Sequence, residues 1–347
     1  MKTRAKRLAA ILMAAVMTAA MAVPAFAVSD TTDSEAATET GSTTGSAISS
    51  MDFTKVVDAD ANTYQPEETF KFTVAGATAG ENEKYNGAVV STGTGSITAA
   101  DVTTDPTLMG KQTYKSSLDF SSLSFDQPGV YKYTVTETKG TNVDMTYDTN
   151  RTLYVYVRWN SAGNATEIYG AAMTKAGSDD KSANFTNVYK TSGDTTDEFK
   201  DLTVEKKVTG AQGDTSKLFN FQLTITSGSG RKYYKVSTTA NESAVQLESG
   251  KPYTFKLKNG EKIVVENLST NDTYTVTETE SGKDGYTTTG EVTAAKAMVN
   301  TDTTETITNN KDAVTPTGII MSYGPYMLMI AAAAVLAFVF LRKREEI

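Results

Sequence analysis

The hexapeptide Tyr-Thr-Val-Thr-Glu-Thr stands twice in this chain, at 133–138 and at 274–279. Alternation of this kind marks a half-buried β-strand. Each copy sits inside the same larger pattern, in the same order. The first has Lys55 in Phe53-Thr54-Lys55-Val56-Val57, then Glu137 in the hexapeptide, then Phe185-Thr186-Asn187. The second has Lys206 in Leu202-Thr203-Val204-Glu205-Lys206, then Glu278, then Ile307-Thr308-Asn309. A pattern that recurs with its parts in order predicts two copies of one fold.

A lysine, a glutamate and an asparagine on three distant strands can carry out one reaction if buried together. Burial disfavours charge, so it lowers the lysine pKa and raises that of the glutamate. The neutral amine is a nucleophile. A protonated glutamate can hydrogen-bond the asparagine carbonyl and shuttle protons while ammonia leaves. Packing supplies the effective molarity, and one turnover in the protein's lifetime suffices. The expected products are the amides Lys55–Asn187 and Lys206–Asn309, with Glu137 and Glu278 as the assisting acids. They would close loops of 132 and 103 positions. In the chain-entropy treatment developed for disulfides, loops of that length stabilise by about 4–5 kcal/mol.

Composition narrows the alternatives. The chain has 347 residues with neither Cys nor His. That excludes a Ser-His-Asp triad, a cysteine nucleophile, the usual zinc sites and disulfides. No cofactor and no metal are expected. The formal net charge is −8, although both ends are basic. The body between them is therefore more acidic still and is not expected to bind nucleic acid.

The ends read as addresses. Lys2, Arg4, Lys6 and Arg7 precede an apolar run from Leu8 to Val23, and Ala25-Phe26-Ala27 follows. This is a secretory signal peptide, residues 1–27. Tyr326 to Leu341 is apolar and is lengthened upstream by Ile319 to Met321. It is expected to span about 30 Å of hydrocarbon as a helix. Arg342-Lys343-Arg344 would stay in the cytoplasm, leaving the body outside the cell.

Between the ends, residues 28–50 form a Ser/Thr/Gly-rich leader, expected to be flexible. The first domain is expected at 51–190, a linker at 191–200 and the second domain at 201–311. Residues 312–347 form the C-terminal segment. Phe70 to Val74, Val130 to Thr138 and Leu153 to Trp159 read as strands of the first domain. Leu202 to Val208, Phe219 to Ile225, Tyr253 to Leu257, Lys262 to Glu266 and Tyr274 to Thr279 read as strands of the second. Lys258-Asn259-Gly260-Glu261 reads as a hairpin turn. Short strands separated by turns predict an all-β protein of two tandem β-sandwiches.

These residues resemble the major, or backbone, pilins of Gram-positive bacteria, of the streptococcal type with the pilin isopeptide linkage domain. The resemblance rests on Leu202 to Gly210, Phe255 to Glu261, the repeated hexapeptide and Asn309-Asn310-Lys311, and it covers roughly residues 51 to 347. It implies immunoglobulin-like domains of the collagen-adhesin B type and the two crosslinks named above. Ile307 stands where the family usually has Phe. Asn310 competes with Asn309, as Lys207 does with Lys206. Analogy with the first domain favours Asn309 and Lys206.

Val314-Thr315-Pro316-Thr317-Gly318 is similar to the L-P-x-T-G sorting signal, ahead of an apolar span and a basic tail. The resemblance implies cleavage by a sortase between Thr317 and Gly318. The Thr317 carbonyl would then pass to a lysine of another copy or to peptidoglycan. Lys181 is the first choice of acceptor lysine, with Lys175 and Lys190 as rivals. The implied partners are sortase, other copies, tip and basal pilins, and the wall. The alternative is a monomeric wall-anchored adhesin with a host ligand. A surface hydrolase is the weakest reading, since no acidic pair has a glycosidase context.

Overall fold

The computed structural model describes residues 40–41, 46–189, 199–238, 245–312 and 317–344. The expected signal peptide, most of the leader, most of the linker, Lys190 and Val314 to Pro316 lie outside the described residues.

In chain order the strands used below are β1 (Thr40–Gly41), β2 (Ser50–Asp58), β3 (Phe72–Gly76), β4 (Gln112–Asp119), β5 (Gly129–Glu137), β6 (Asn150–Trp159), β7 (Thr166–Lys175) and β8 (Asn184–Tyr189). They continue with β9 (Lys200–Thr209), β10 (Phe219–Thr226), β11 (Tyr233–Thr238), β12 (Tyr253–Leu257), β13 (Lys262–Leu268), β14 (Thr273–Glu278), β15 (Val292–Ala297) and β16 (Thr303–Asn310). The protein is all-β through this body, and one helix, α1 (Thr317–Arg344), follows.

In the first sandwich, one sheet runs β1-β7-β6-β5, with β3 antiparallel to one stretch of β5 and Ala88–Thr92 parallel to another. The facing sheet is centred on β8-β2-β4. Phe53 on β2, Phe72 on β3 and Phe185 on β8 meet between them, with ring centroids 4.9, 5.8 and 5.0 Å apart. In the second sandwich, β11-β13-β9-β16 faces β12-β10-β14-β15. Its core includes Val204, Phe221, Val276 and Ile307.

In both sandwiches the first strand lies beside the last and parallel to it: β2 with β8, and β9 with β16. Parallel neighbours cannot be joined by a tight turn. Almost the whole domain therefore separates two strands that touch, a placement that brings residues of distant sequence together.

Three local expectations differ from the structure. Phe70 to Val74 is not one strand. Thr69–Phe70 pairs with Val102–Thr103, while Phe72–Gly76 pairs with β5, so the chain changes partners at Lys71. Lys258 to Glu261 turns, but not as a hairpin. β12 pairs with β10 and β13 with β9, so the turn carries the chain from one sheet to the other. Only Gly260 there has positive φ, at 81°, whereas a two-residue hairpin of the Asn-Gly kind needs it at both central positions. The third difference is β1, which lies within the expected leader and pairs with Ala171 and Gly170 of β7. That pairing satisfies backbone groups that an edge strand leaves open.

The sandwiches meet at a polar joint. The fully buried Arg231 guanidinium lies over the Phe199 ring at 4.4 Å, and its Nε donates to the Tyr189 hydroxyl at 3.2 Å. Asn271 Nδ2 donates to Asp144 Oδ1 across the same boundary at 2.9 Å.

In α1, side chains are described only for residues 325–338 and 342, and the apolar ones, such as Met327 and Leu328, are exposed. Among the described residues no helix is long and apolar enough to cross a membrane. The expected span extends beyond that described stretch at both ends.

Candidate functional site: two buried Lys-Glu-Asn bridges

Strand register decides which side chains converge. Along β2 and β8, Lys55 stands opposite Phe185, and Asn187 opposite Val57. Lysine and asparagine are thus offset by two residues on adjacent strands. Side chains two apart share a face, so both point into the sandwich. In the second domain Lys206 stands opposite Ile307, and Asn309 opposite Val208. The offset is the same. Asn309 is the inward residue, whereas Asn310 is half-buried and its Nδ2 donates to Asp312. Lys206 is buried and Lys207 exposed.

The glutamate comes from the facing sheet. β5 and β14 carry the repeated hexapeptide, and alternation turns Tyr133, Val135 and Glu137 inward in one, and Tyr274, Val276 and Glu278 in the other. Lys55 Nζ donates to Glu137 Oε2 at 2.9 Å, and Asn187 Nδ2 donates to Glu137 Oε1 at 2.6 Å. Lys206 Nζ donates to Glu278 Oε2 at 2.9 Å, and Asn309 Nδ2 to Glu278 Oε1 at 2.7 Å. Each carboxylate bridges a lysine and an asparagine, one through each oxygen. All six residues are no more than 3% exposed.

The hydrogen bond expected from the glutamate to the asparagine carbonyl is not the one the structure shows. Glu137 faces the amide nitrogen of Asn187 and not its carbonyl oxygen, which accepts from the Asp148 backbone N–H at 2.7 Å. A backbone N–H can only donate, so this contact decides which amide atom is the oxygen. The Glu137 carboxylate thus meets the amide nitrogen, while a backbone donor holds the carbonyl.

Aromatic rings close the sites. Lys55 Nζ lies 4.6 Å from the Phe70 ring centroid, and Lys206 Nζ 4.3 Å from that of Phe219. Burial pulls the Lys55 ammonium down to about 8, against the opposing pull of Glu137. Burial lowers Lys206 as well, opposed by Glu278. Glu137 is raised by burial, with Lys55 and Asn187 resisting. The apolar surroundings of the first site thus favour the neutral amine of Lys55 and the neutral acid of Glu137. The bent Lys258 to Glu261 turn clasps the second site, since Gly260 N–H donates to Lys206 O and Lys206 N–H to Glu261 O.

Sequence reasoning missed Asp148, Phe70 and Phe219. Phe219 stands in a recognisable strand, but no spacing rule ties it to Lys206. Asp148 contributes through its backbone, which carries no residue-type signal. Among the described residues, no group of three or more His, Cys, Asp or Glu could hold a metal. Of the candidate acceptors, Lys181 is half-buried with its Nζ inside. Lys175 is exposed at an open groove that Asp148 and Arg151 also line.

The comparisons with known proteins agree with this architecture. A sequence-family model described as "Spy0128-like isopeptide containing domain" matches residues 51–190, and one described as "Domain of unknown function (DUF7601)" matches residues 200–311. The chain is 34% identical over 324 residues to a pilin of Streptococcus pyogenes serotype M1, covering 84% of this chain and 90% of that one. It is also similar to a solved major pilin from Streptococcus pyogenes, with 29% identity and a TM-score of 0.54, over 76% of this chain and 99% of that one. A second solved major pilin, T3.2 from the same species, gives 28% identity and 0.54 over 75% and 98%. The tandem sandwiches and their relatives place the chain among structural surface proteins, and it belongs to the Gram-positive major pilin family. It is a pilus subunit.

Proposed function

We propose that this subunit is a covalently braced shaft element, in which Glu137 and Glu278 each promote one Lys–Asn condensation. The supporting observation is the same carboxylate bridge at both sites, buried and in the same strand register. A proton passes from Lys55 Nζ to the Glu137 carboxylate. The freed amine attacks Asn187 Cγ, the N–C bond forms, and the carbonyl electron pair moves onto Oδ1. Glu137 then gives its proton to Nδ2. The oxyanion collapses, the C–Nδ2 bond breaks and ammonia leaves. The surplus proton on Nζ returns to Glu137. Lys206, Glu278 and Asn309 follow the same course.

The brace suits a cysteine-free exported shaft, because each amide ties the first strand of a domain to its last. Between subunits, we propose that a sortase cleaves after Thr317 and joins that carbonyl to a lysine of the next copy. Lys181 is the leading acceptor and needs local opening to expose its amine. Lys175 is the accessible rival. A tip adhesin, a basal pilin and peptidoglycan are the proposed further partners, with the precursor held in the membrane by its C-terminal helix and the pilus outside the cell. A relative named a Streptococcus pyogenes pilus tip adhesin is 36% identical over 122 residues, covering 34% of this chain and 18% of that one.

Two experiments test the proposal. Intact mass of the secreted body is expected to fall short of the sequence mass by two ammonia molecules. No deficit overturns the crosslinks. Wall extracts boiled in detergent are expected to give a ladder of high-mass species. A single monomer band favours a monomeric adhesin instead.

A further inference from the structure

The two bridges match, but the asparagine carbonyls above them do not. Asn187 Oδ1 accepts the Asp148 N–H at 2.7 Å. Asn309 Oδ1 is buried and has no partner among the described residues. As the amine attacks Cγ, negative charge develops on this oxygen. A donor 2.7–3.1 Å away, already in place and shielded from water, stabilises that charge with no reorganisation.

The Asp148 N–H is held by its own side chain. Asp148 Oδ2 accepts from the Thr186 backbone N–H at 2.8 Å, next to Asn187 in sequence. Its Oδ1 accepts from the Thr149 N–H at 2.7 Å. Arg151 grips both oxygens, at 2.9 and 2.6 Å, while lying over the Phe185 ring at 4.7 Å. Burial works against this carboxylate, yet Arg151 and the two N–H groups outweigh it and hold it below its usual value. Arg151 also offsets a negative charge that would otherwise oppose the oxyanion. The loop is thereby tied to the strand that carries the electrophile.

We propose that the Asp148 backbone N–H is the oxyanion donor for the first domain's condensation, and that the second domain, without such a donor on Asn309, closes more slowly. This rests on the crosslinks proposed above. The attack at Cγ puts the carbonyl electron pair on Oδ1, where the N–H meets it. Collapse returns the pair as Nδ2 departs with the Glu137 proton. Asp148 itself gains and loses no proton.

The test is timed cell-free synthesis of the full chain in mild detergent, quenched in acid, digested, and read as the linked peptides Lys55–Asn187 and Lys206–Asn309. The first linkage is expected at least about ten-fold sooner than the second. Asp148→Ala, which frees the loop, is expected to slow the first linkage by about 10²–10³-fold, as loss of one oxyanion donor does, and to leave the second unchanged. Because that variant could simply misfold, a second replaces Asp148 with its α-hydroxy acid from a chemically acylated suppressor tRNA. This keeps the carboxylate anchors and deletes only the N–H. The same slowing is expected, by an equal factor at every pH. Equal rates for the two linkages in the unaltered chain would overturn the proposal, as would an unslowed hydroxy-acid variant or a shifted pH profile. Absence of ammonia loss from both domains would sink the crosslink reading itself, and the proposal with it.

Discussion

The first and second sandwiches place the same three side chains by the same register, yet they surround them differently. In both, the lysine and asparagine sit on parallel neighbours offset by two, and the glutamate reaches across from the facing sheet. Around Lys55 the loop after β5 brings Asp148 onto the asparagine oxygen, and Tyr147 onto Glu68. Around Lys206 the corresponding oxygen has no partner among the described residues, and the contact with the loop after β14 goes instead from the Glu278 N–H to Glu291. Ladders of strands repeat a geometry faithfully because backbone hydrogen bonds set it. Loops do not, so they are where two copies of one site come to differ.

The comparison breaks most severely if the carboxylates are removed. Glu137→Ala and Glu278→Ala should each restore one ammonia mass. Each also leaves a buried lysine without its partner, which costs about 3–5 kcal/mol, and forgoes a loop closure of about 4–5 kcal/mol. Mass spectrometry and thermal melting check this. Loss of both linkages from a single substitution would mean that the domains are not independent. Asn309→Ala should abolish the second linkage while Asn310→Ala leaves it intact, and the reverse result would show that the register is wrong by one residue.

A smaller effect is expected in the pH dependence of the first linkage. The proposed reaction needs one proton on the Lys55–Glu137 pair. Below the raised Glu137 value both groups are protonated, and above about 8, where Lys55 titrates, neither is. The rate of the first linkage should therefore be bell-shaped in pH, with its alkaline limb near 8. A rate still rising at higher pH would mean that Glu137 gives no proton to the leaving group. Phe70→Ala and Phe219→Ala should admit water and move the alkaline limbs upward, each in its own domain only. Least of all, Lys207→Ala should change melting by no more than about 0.5 kcal/mol, the usual range for exposed positions.

Much of this could be read along the chain. Period-two alternation marked β5, β9, β10 and β14 because a half-buried strand must show one apolar face. The repeat placed a lysine near the start, a glutamate in the middle and an asparagine at the end of each copy. Other features could not be read. The break at Lys71 and the sheet-crossing turn at Gly260 depend on which strands pair, and local pattern does not encode partners. The pairing of β1 with β7 depends on an open edge that exists only after the sheet has formed.

By itself the sequence determined the all-β character, the two-fold repetition and the exclusion of disulfides and of the usual Cys/His zinc sites, since these follow from residue type and periodicity. Tertiary structure alone decided that strands more than a hundred positions apart run parallel and adjacent. It also decided that Asn309 and not Asn310 turns inward, and that a backbone N–H reaches Asn187 Oδ1 while none among the described residues reaches Asn309 Oδ1. Residue identity specifies what a side chain can do. Register and loop path specify what it meets, and both are set by hydrogen bonds between segments that are remote along the chain.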